Sequence, residues 1–235
     1  MKLLNWEMNK VDTIIKAEEI YRDFAVGSQV INALKNVNID IEKGSVTVLK
    51  GRSGSGKTTL INILGIIDAP TRGKIIINGK EAEKMSDTQK NSLRQNDFGY
   101  SFQAGALIPD MTVYENVELM LRIKKTPINE RKKRTLECIE RVGLIKKVNS
   151  FAEELSGGEA QRIGIARAIV HKPEIIFADE PTSALDYKTG CSIIKLFKDL
   201  SVNDGCTLII TTHDPKVLPI ADHVFNLTDG EIINE

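Results

Sequence analysis

The chain is 235 residues long, which fits one large α/β domain or a domain with a small helical insert. Hydrophobic residues make up 41% of the chain and charged residues 27%, proportions that are ordinary for a soluble globular protein. Because 32 lysine and arginine residues balance 32 aspartate and glutamate residues, no net basic field points to nucleic acid as a partner. The three cysteines, Cys138, Cys191 and Cys206, lie far apart and indicate neither a disulfide framework nor a metal site.

No stretch of the sequence is long and apolar enough to span a bilayer. The apolar run at 63–67 is far too short, and residues 1–19 contain acidic residues without the long apolar core of a signal peptide. We therefore expect a cytoplasmic protein whose role at a membrane comes through another chain. Residues 1–15 are predicted to be an N-terminal leader, and residues 16–235 a single domain.

The first third of that domain is predicted to be rich in strands. Residues 37–41 alternate between apolar and polar side chains, which is typical of a half-buried strand. Residues 46–49 are continuously apolar, as expected of a strand in a sheet that is covered on both faces. Residues 75–77 precede an Asn-Gly turn. Together these segments predict a small antiparallel sheet beside one buried strand.

The middle of the chain changes to a helical pattern, rich in Glu, Lys, Arg and Leu. Asp110 or Thr112 can cap a first helix. Pro127 starts a second helix, which Gly143 ends. We interpret residues 104–160, approximately, as an α-helical subdomain inserted into an α/β core.

Strands and helices alternate again in the last third. The apolar runs at 175–178 and 208–210 predict buried strands, and an apolar stripe at 193–200 predicts a helix between them. This alternation implies a parallel sheet flanked by helices. The predicted fold class is therefore α/β, with a small antiparallel β-subdomain and a helical subdomain.

The motif G-x-x-x-x-G-K-[ST] is met at residues 51–58, between the buried strand at 46–49 and an apolar-periodic helix. Glycines let the backbone wrap around phosphates, and successive N–H groups together with the helix N-terminus supply positive potential. Lys57 is predicted to reach the β- and γ-phosphates of ATP, and the Thr58 hydroxyl to bind Mg²⁺. A glycine-rich turn that only caps a helix is the alternative. The motif favours a P-loop NTPase core in which the nucleotide is held by Gly51, Arg52, Ser53, Gly54, Ser55, Gly56, Lys57, Thr58 and Thr59.

Two carboxylates follow the predicted strand at 175–178. Ligands of open α/β sheets gather at the carboxyl ends of strands. We therefore predict that Asp179 binds Mg²⁺ and that Glu180 accepts a proton from an attacking water; a solvated turn is the alternative. His213 follows the strand at 208–210 near the same edge, where its imidazole could donate a hydrogen bond to a γ-phosphate, although a lone histidine is more often a packing or surface residue.

The run Leu-Ser-Gly-Gly-Glu-Ala-Gln-Arg at residues 155–162, here called the signature segment, resembles the signature of ATP-binding cassette (ABC) ATPases. Physically it is a second glycine-rich helix N-terminus that can hold an anion, with a plain helix cap as the alternative. The resemblance implies that the signature segment of one subunit closes over the ATP held by another, so that two nucleotides lie within a homodimer. It assigns Ser156, Gly157, Gly158 and Glu159 to ATP binding across that dimer.

Further motifs of the same family occur in order between about residues 20 and 233. Gln103 matches the glutamine that contacts the metal and the water and senses a membrane partner. Asp186 matches a loop at the dimer interface, which we assign to ATP binding, and His213 matches the switch histidine. The resemblance thus implies Glu180, His213, Lys57 and Gln103 as catalytic residues, and Thr58, Gln103 and Asp179 as Mg²⁺ ligands.

The aromatic side chain that stacks on adenine in this family corresponds by its spacing to Phe24, and Tyr21 is the competing candidate. Arg52 and Thr59 differ from the residues that are common at their positions in the phosphate loop. Neither of them is expected to touch the chemistry.

The segments at 33–35 and 107–117 are similar to one subgroup, which contains lipoprotein-releasing, macrolide-exporting and peptide-exporting ATPases and a cell-division member. The resemblance implies an ATPase, peripheral on the inner face of the membrane, that powers export or extraction of a lipoprotein, peptide or small hydrophobic compound through a separate integral membrane permease. The alternatives are a regulatory or scaffolding ATPase, as in cell division, and an ATPase that acts on nucleic acid, which the compact insert and the single cassette disfavour. The cargo stays open, because cargo contacts belong to the partner.

Overall fold

The computed structural model describes residues 12–103 and 105–233, and none of the helices within those ranges is both long and apolar enough to cross a membrane. Short 3₁₀ turns connect several of the longer elements. In chain order the elements are β1 (Thr13–Val26), β2 (Gln29–Glu42), β3 (Val46–Lys50), α1 (Lys57–Leu64), β4 (Arg72–Ile77), β5 (Lys80–Glu81), α2 (Asp87–Asn96), β6 (Phe98–Ser101), α3 (Val113–Ile123), α4 (Ile128–Arg141), α5 (Gly157–Ile169), β7 (Ile175–Asp179), α6 (Tyr187–Asp204), β8 (Thr207–Thr212), β9 (His223–Thr228) and β10 (Glu231–Ile233).

Within the described chain the strands form two sheets of different kinds. A four-stranded antiparallel sheet has the order β2-β1-β4-β5. A six-stranded sheet has the order β10-β9-β3-β8-β7-β6, in which β9 through β6 run parallel and β10 pairs antiparallel at one edge. The predicted α/β class, with a parallel sheet and a small antiparallel subdomain, is confirmed.

The six-stranded sheet is covered on both faces, so its central strands are buried along their length. Successive side chains of a strand point to opposite faces. On β8, Ile209 therefore enters a core shared with the antiparallel sheet and α1, which includes Leu60. Leu208 and Ile210 enter a second core with α3 to α6, which includes Val117. This double cover explains why the strand segments read as continuously apolar.

The helical segment predicted in the middle of the chain contains α3 and α4 and leads into α5. The Thr112 side chain accepts a hydrogen bond from the Glu115 amide, and the Glu115 side chain accepts one from the Thr112 amide, so Thr112 is the cap of α3. Pro127 precedes α4 as predicted. Gly143 follows α4 with φ of 74°, in the left-handed region that favours glycine. α5 continues to Ile169, beyond the predicted end of the segment.

Some elements and one boundary differ from the prediction. Every side chain of α2 is at least partly exposed, so no apolar stripe marks this helix, and the capping box of Ser86 and Gln89 is the signal that could reveal it. β6 has four residues, too few to show a period. β1 begins at Thr13, so the end of the predicted leader belongs to the antiparallel sheet; residues 1–11 of that leader lie outside the described residues.

His171, in the connection between α5 and β7, is buried, with 1% of its surface exposed. Its Nε2 lies 2.9 Å from the carbonyl oxygen of Phe98, which places the ring proton on that nitrogen. Burial lowers the pKa of His171 to about 4, and the positive charges of Lys124 and Arg134 act in the same direction. The imidazole is therefore neutral in the folded protein near pH 7, where it serves packing.

We expect the free energy of unfolding to fall as the pH drops from 6.5 to about 4, because the unfolded chain binds a proton on His171 that the folded chain excludes. The pKa difference corresponds to a contribution of about 3 kcal/mol, complete above pH 6.5 and lost below about pH 4. Urea unfolding across this pH range measures it in the wild type and in His171→Gln, whose amide can still donate to Phe98. The variant should show the flatter dependence, and equal slopes in the two proteins would contradict the assignment.

Candidate active site

The segment between β3 and α1 is the predicted phosphate loop, residues 51–58. Gly54 and Gly56 have φ of 81° and 101°, which favour glycine. Gly51 leaves no room for a side chain, because a Cβ at this position would lie 2.3 Å from the carbonyl oxygen of Leu227. Among the described residues no side chain caps α1, so the amides of its first turn are left for a ligand at the positive end of the helix dipole. The loop can therefore hold an anion such as a phosphate.

Lys57 carries a charge that is almost fully buried, with 6% of the residue exposed. Its Nζ donates to the carbonyl oxygens of Gly51 and Arg52 at 2.9 and 3.0 Å. The same nitrogen lies 3.5 Å from Glu180 Oε1. Burying an ammonium group is costly unless oxygen atoms surround it, and here loop carbonyls and a carboxylate do so. The lysine charge is thereby fixed between the phosphate loop and the end of β7.

Asp179 ends β7 beside two threonine hydroxyls. Thr58 Oγ1 donates to Asp179 Oδ2 at 3.0 Å, and Thr211 Oγ1 donates to Asp179 Oδ1. Thr211, which the sequence analysis missed, is directly opposite Asp179 in the parallel pairing of β7 and β8. Hydroxyl and carboxylate oxygens are ligands that Mg²⁺ prefers, so Thr58 and Asp179 fit the predicted ion. The described ranges contain no cluster of three or more His, Cys, Asp or Glu side chains able to hold a metal alone, so an ion here would take further ligands from phosphate and water.

Glu180 bridges the buried lysine and the predicted switch histidine. Its amide donates to the carbonyl oxygen and the hydroxyl of Thr211 at 3.2 and 3.0 Å. These bonds hold its backbone at φ of 47°, a left-handed conformation that costs about 1–3 kcal/mol in a non-glycine residue and clusters at functional sites. Glu180 Oε2 lies 2.9 Å from His213 Nδ1, while Oε1 faces Lys57. A carboxylate so placed can accept a proton from a water that approaches the phosphate loop.

Lys57, Thr58, Glu180 and His213 line a pocket of about 630 Å³, a volume typical of small-molecule sites. Gln103, predicted only from the family resemblance, also lines it. Ser55 Oγ, in the phosphate loop, is buried and has no hydrogen-bond partner in the part of the chain that the structure describes. A bound ligand could supply the hydrogen bond that this hydroxyl lacks. β2 reaches the pocket through Ala33. The absence of a side chain on Gly56 permits this close approach, because a Cβ there would lie 2.6 Å from the Ala33 carbonyl oxygen. Lining residues that the sequence analysis did not assign are Ile31, Asn32, Ala33, Lys35, Ser183, Asp229 and Gly230.

The signature segment lies elsewhere on the same chain. Ser156 and Glu159 form a capping box at the start of α5, and the hydrogen bonds from Ser156 lower the pKa of Glu159. Within residues 12–103 and 105–233, the lining of the pocket that contains Lys57 does not include residues 156–159. One chain therefore presents two separate glycine-rich helix N-termini.

Asp186 and Phe24 also lie outside the lining of that pocket. Asp186 caps α6, and hydrogen bonds from Thr189 lower the pKa of Asp186. Phe24 is paired across the β1–β2 hairpin with Ile31, which does line the pocket. Tyr21 lines a separate groove. Of the predicted residues, the structure brings together Lys57, Thr58, Gln103, Asp179, Glu180 and His213, and it leaves Ser156, Gly157, Gly158, Glu159, Asp186 and Phe24 apart from them.

The chain is similar to known proteins along most of its length. A family model described as ABC transporter matches residues 34–183. The uncharacterized ABC transporter ATP-binding protein MJ0796 of Methanocaldococcus jannaschii is 41% identical over 226 residues, which cover 94% of this chain and 96% of that protein. The macrolide export ATP-binding/permease protein MacB of Agrobacterium fabrum is 39% identical over 224 residues, which cover 95% of this chain and 34% of that longer protein.

Solved structures extend the likeness to three dimensions. A dimeric structure of MJ0796 in a post-hydrolysis state, bound to ADP and Pi, has a TM-score of 0.90 at 40% identity, covering 94% of this chain and 97% of that one. The structure of cbiO1 from Clostridium perfringens, part of the ABC transporter complex cbiONQ, has a TM-score of 0.80 at 32% identity, covering 95% of this chain and 88% of that one.

We expect Gly56→Ala to disrupt the phosphate loop, because the new Cβ would lie 2.6 Å from the Ala33 carbonyl oxygen at a φ of 101°. The variant should lose about 2 kcal/mol of stability or shift the loop and bind pyrophosphate poorly. Gly157→Ala is the matched control, because a Cβ there meets open space. Thermal unfolding and calorimetric titration with pyrophosphate measure both effects. A Gly56 variant with wild-type stability and wild-type pyrophosphate affinity would refute the cradle geometry.

Proposed function

This chain belongs to the ABC transporter family, and from that premise we propose that it is an ATP-hydrolysing subunit that works as a homodimer on a separate integral membrane permease. The observation that carries the proposal is the pocket at the end of β7. There a buried lysine, a carboxylate beside it and a hydroxyl–carboxylate pair surround the start of α1. ATP and Mg²⁺ are the ligands that this set of groups fits.

The phosphate loop and Lys57 bind and orient the β- and γ-phosphates. Thr58, Gln103 and Asp179 would hold Mg²⁺, which neutralises charge on the phosphate oxygens when it is bound. Lys57 offsets the negative charge that develops on the γ-phosphoryl group during transfer.

Glu180 accepts the proton of the attacking water. Glu180 Oε2 accepts from His213 Nδ1, and this contact fixes one carboxylate oxygen. For Nε2 of the same ring also to donate to a γ-phosphate oxygen, His213 would act as the imidazolium, in which both ring nitrogens carry a proton. Thr211 holds the backbone of Glu180, so the carboxylate does not have to be oriented anew for each turnover.

A second copy of the chain would supply the missing half of each site. The loop from Ser183 to Asp186 starts in the pocket and then runs beside the signature segment, where a Cβ on Gly158 would lie 3.0 Å from the Ala184 carbonyl oxygen. These two segments therefore form one surface outside the chain's own pocket. Two copies arranged head to tail would each bring that surface to the other's nucleotide, and the dimeric MJ0796 structure with ADP and Pi supports the pairing of two copies.

The helical subdomain offers a route from this surface to a permease. Arg167, on α5, donates to the carbonyl oxygens of Gly105 and Ala106 at 2.9 and 3.0 Å. A Cβ on Gly164 would lie 2.8 Å from Gly105 Cα. Because α5 is in backbone contact with the loop that carries Gln103, movement of the signature segment displaces that loop as well.

Beyond this loop the chain exposes Ile108 in a rigid position. Its amide donates to Asn116 Oδ1 at 2.9 Å, its carbonyl oxygen accepts from Asn116 Nδ2 at 3.1 Å, and 37% of the residue is exposed. An exposed apolar side chain on a backbone fixed in this way suits a permease contact. In that assembly the protein is peripheral on the inner face of the membrane. The cargo we propose is a lipoprotein, peptide or small hydrophobic compound, and the likeness to the macrolide export protein MacB supports export as the direction.

We expect Glu180→Gln to bind ATP-Mg²⁺, to dimerise stably and to hydrolyse ATP at least about 100-fold more slowly, because the proton acceptor is gone while the binding groups stay. Sedimentation velocity and phosphate release measure the two effects. Glu174→Gln, at the opposite end of β7 and paired with Lys43, is the control and should turn over normally. Adding Lys57→Ala to the Glu180 variant should abolish the ATP-dependent dimer. Near-normal turnover by Glu180→Gln would overturn its role as the base.

We expect the tagged chain to copurify an integral membrane protein from detergent-solubilised membranes, since coupling requires a permease. Ile108→Asp should reduce recovery of that protein by about tenfold, because a charge replaces an apolar contact, while ATP-dependent dimerisation is kept. Val202→Asp, at an α6 position that is 72% exposed, is the control and should recover the same protein as the wild type. Recovery of ribosomes or DNA in place of a membrane protein would contradict the transport assignment.

A further inference from the structure

Arg22, on β1, is held in a fixed orientation by an acidic residue beyond the phosphate-loop helix. Its Nε donates to Asp68 Oδ2 and its Nη2 donates to Asp68 Oδ1, both at 2.9 Å. Asp68 follows α1 by a few residues, and its amide donates back to the Asn62 carbonyl oxygen at 3.2 Å. A two-pronged bond between a planar guanidinium and a carboxylate fixes direction as well as distance. The guanidinium plane of Arg22 is therefore tied to the helix that begins at the phosphate loop.

The same guanidinium covers one face of Phe24. The guanidinium carbon Cζ of Arg22 lies 4.5 Å from the centre of the Phe24 ring, within the range of a cation–π contact. Phe24 is still 37% exposed, so the ring is backed on one side and open to solvent elsewhere. Its cross-strand partner is Ile31, which lines the pocket of the phosphate loop. An aromatic ring with one open face thus lies at the rim of that pocket.

A second stack of the same kind occurs on the same strand but in another place. Arg72 lies 4.2 Å from the centre of the Tyr21 ring and is its cross-strand partner on β4. Tyr21 and Arg72 line a groove with Asn36 and Glu231. This groove adjoins the pocket that holds Lys57 and shares Asn32 and Lys35 with it, but the linings differ otherwise. The second stack therefore serves as an internal comparison for the first.

We propose that Arg22, anchored by Asp68, is a positioning residue that presents Phe24 as a flat stacking surface for the base of the bound nucleotide. The inference rests on the proposed function, since it requires phosphates at residues 51–58. A lone exposed phenylalanine samples several rotamers, and a base that stacks on it must first order the ring. Backing by Arg22 orders the ring beforehand. The anchor on Asp68 also sets the spacing between the base surface and the phosphate cradle, because both depend on α1.

The test separates base binding from phosphate binding. ADP carries a base and is not turned over, and pyrophosphate carries the same phosphates without a base. Arg22→Met keeps much of the side-chain volume but removes both the ion pair and the cation. By calorimetry its Kd for ADP should rise about five- to tenfold, a partial loss of stacking, while its Kd for pyrophosphate stays within about twofold of the wild type. In turnover assays the KM for ATP should rise with kcat nearly unchanged.

Two further variants complete the experiment. Arg22→Lys keeps a cation and one bond to Asp68, so it should recover most of the ADP affinity. Arg72→Met is the matched control at the second stack and should bind ADP as the wild type does. Unchanged ADP affinity in Arg22→Met, an equal loss of ADP and pyrophosphate affinity, or loss of ADP affinity in Arg72→Met would each overturn the inference. If the wild-type protein bound neither ADP nor pyrophosphate, the proposed nucleotide site itself would fall, which is a different outcome.

Discussion

The buried ammonium group of Lys57 is the constraint on which the rest of the site depends. A charge at 6% exposure is tolerated only where oxygen atoms surround it. The carbonyl oxygens of Gly51 and Arg52 can turn towards it because the loop that follows contains glycines in left-handed conformations. Glu180 supplies the opposite charge from the end of β7. The loop conformation, the strand end and the lysine thus require one another, which explains why two distant segments of the sequence, residues 51–57 and the end of β7, meet here.

The parallel register of the central strands provides the remaining geometry. Asp179 and Thr211 are direct partners on β7 and β8, so the carboxylate and the hydroxyl that bonds to it lie side by side at the same sheet edge. One residue further along each strand come Glu180 and Thr212, and the next residue is His213. A slip of one residue in this pairing would turn Asp179 away from Thr58. The continuous burial of both strands strongly opposes such a slip.

Much of this could be predicted from the sequence, because the information is local. The apolar runs marked the central strands, the glycine–lysine motif marked the phosphate loop, and Pro127 and Gly143 marked the ends of α4. What could not be predicted depends on contacts between distant segments. Thr211 became visible only through the register of β8. α2 stayed hidden because it packs few side chains, and the start of β1 at Thr13 is decided by its partner strand. The roles of individual site residues remain predictions, whereas their convergence is a property of the fold.

The two glycine-rich helix N-termini of the chain differ in the charges that surround them. α1 meets an anion with a lysine beside it, so its site can bind a phosphate group within a single chain. Ser156 caps α5, and its hydroxyl and amide are already occupied by the capping box with Glu159, which places a negative side chain at the first turn of the helix. Such an N-terminus holds a polyphosphate weakly on its own. Under the proposed function it would contribute once the phosphates are neutralised by Lys57 and a divalent cation on another copy. From this difference between the two helix N-termini we expect that nucleotide binds within one chain first and that pairing of two chains follows.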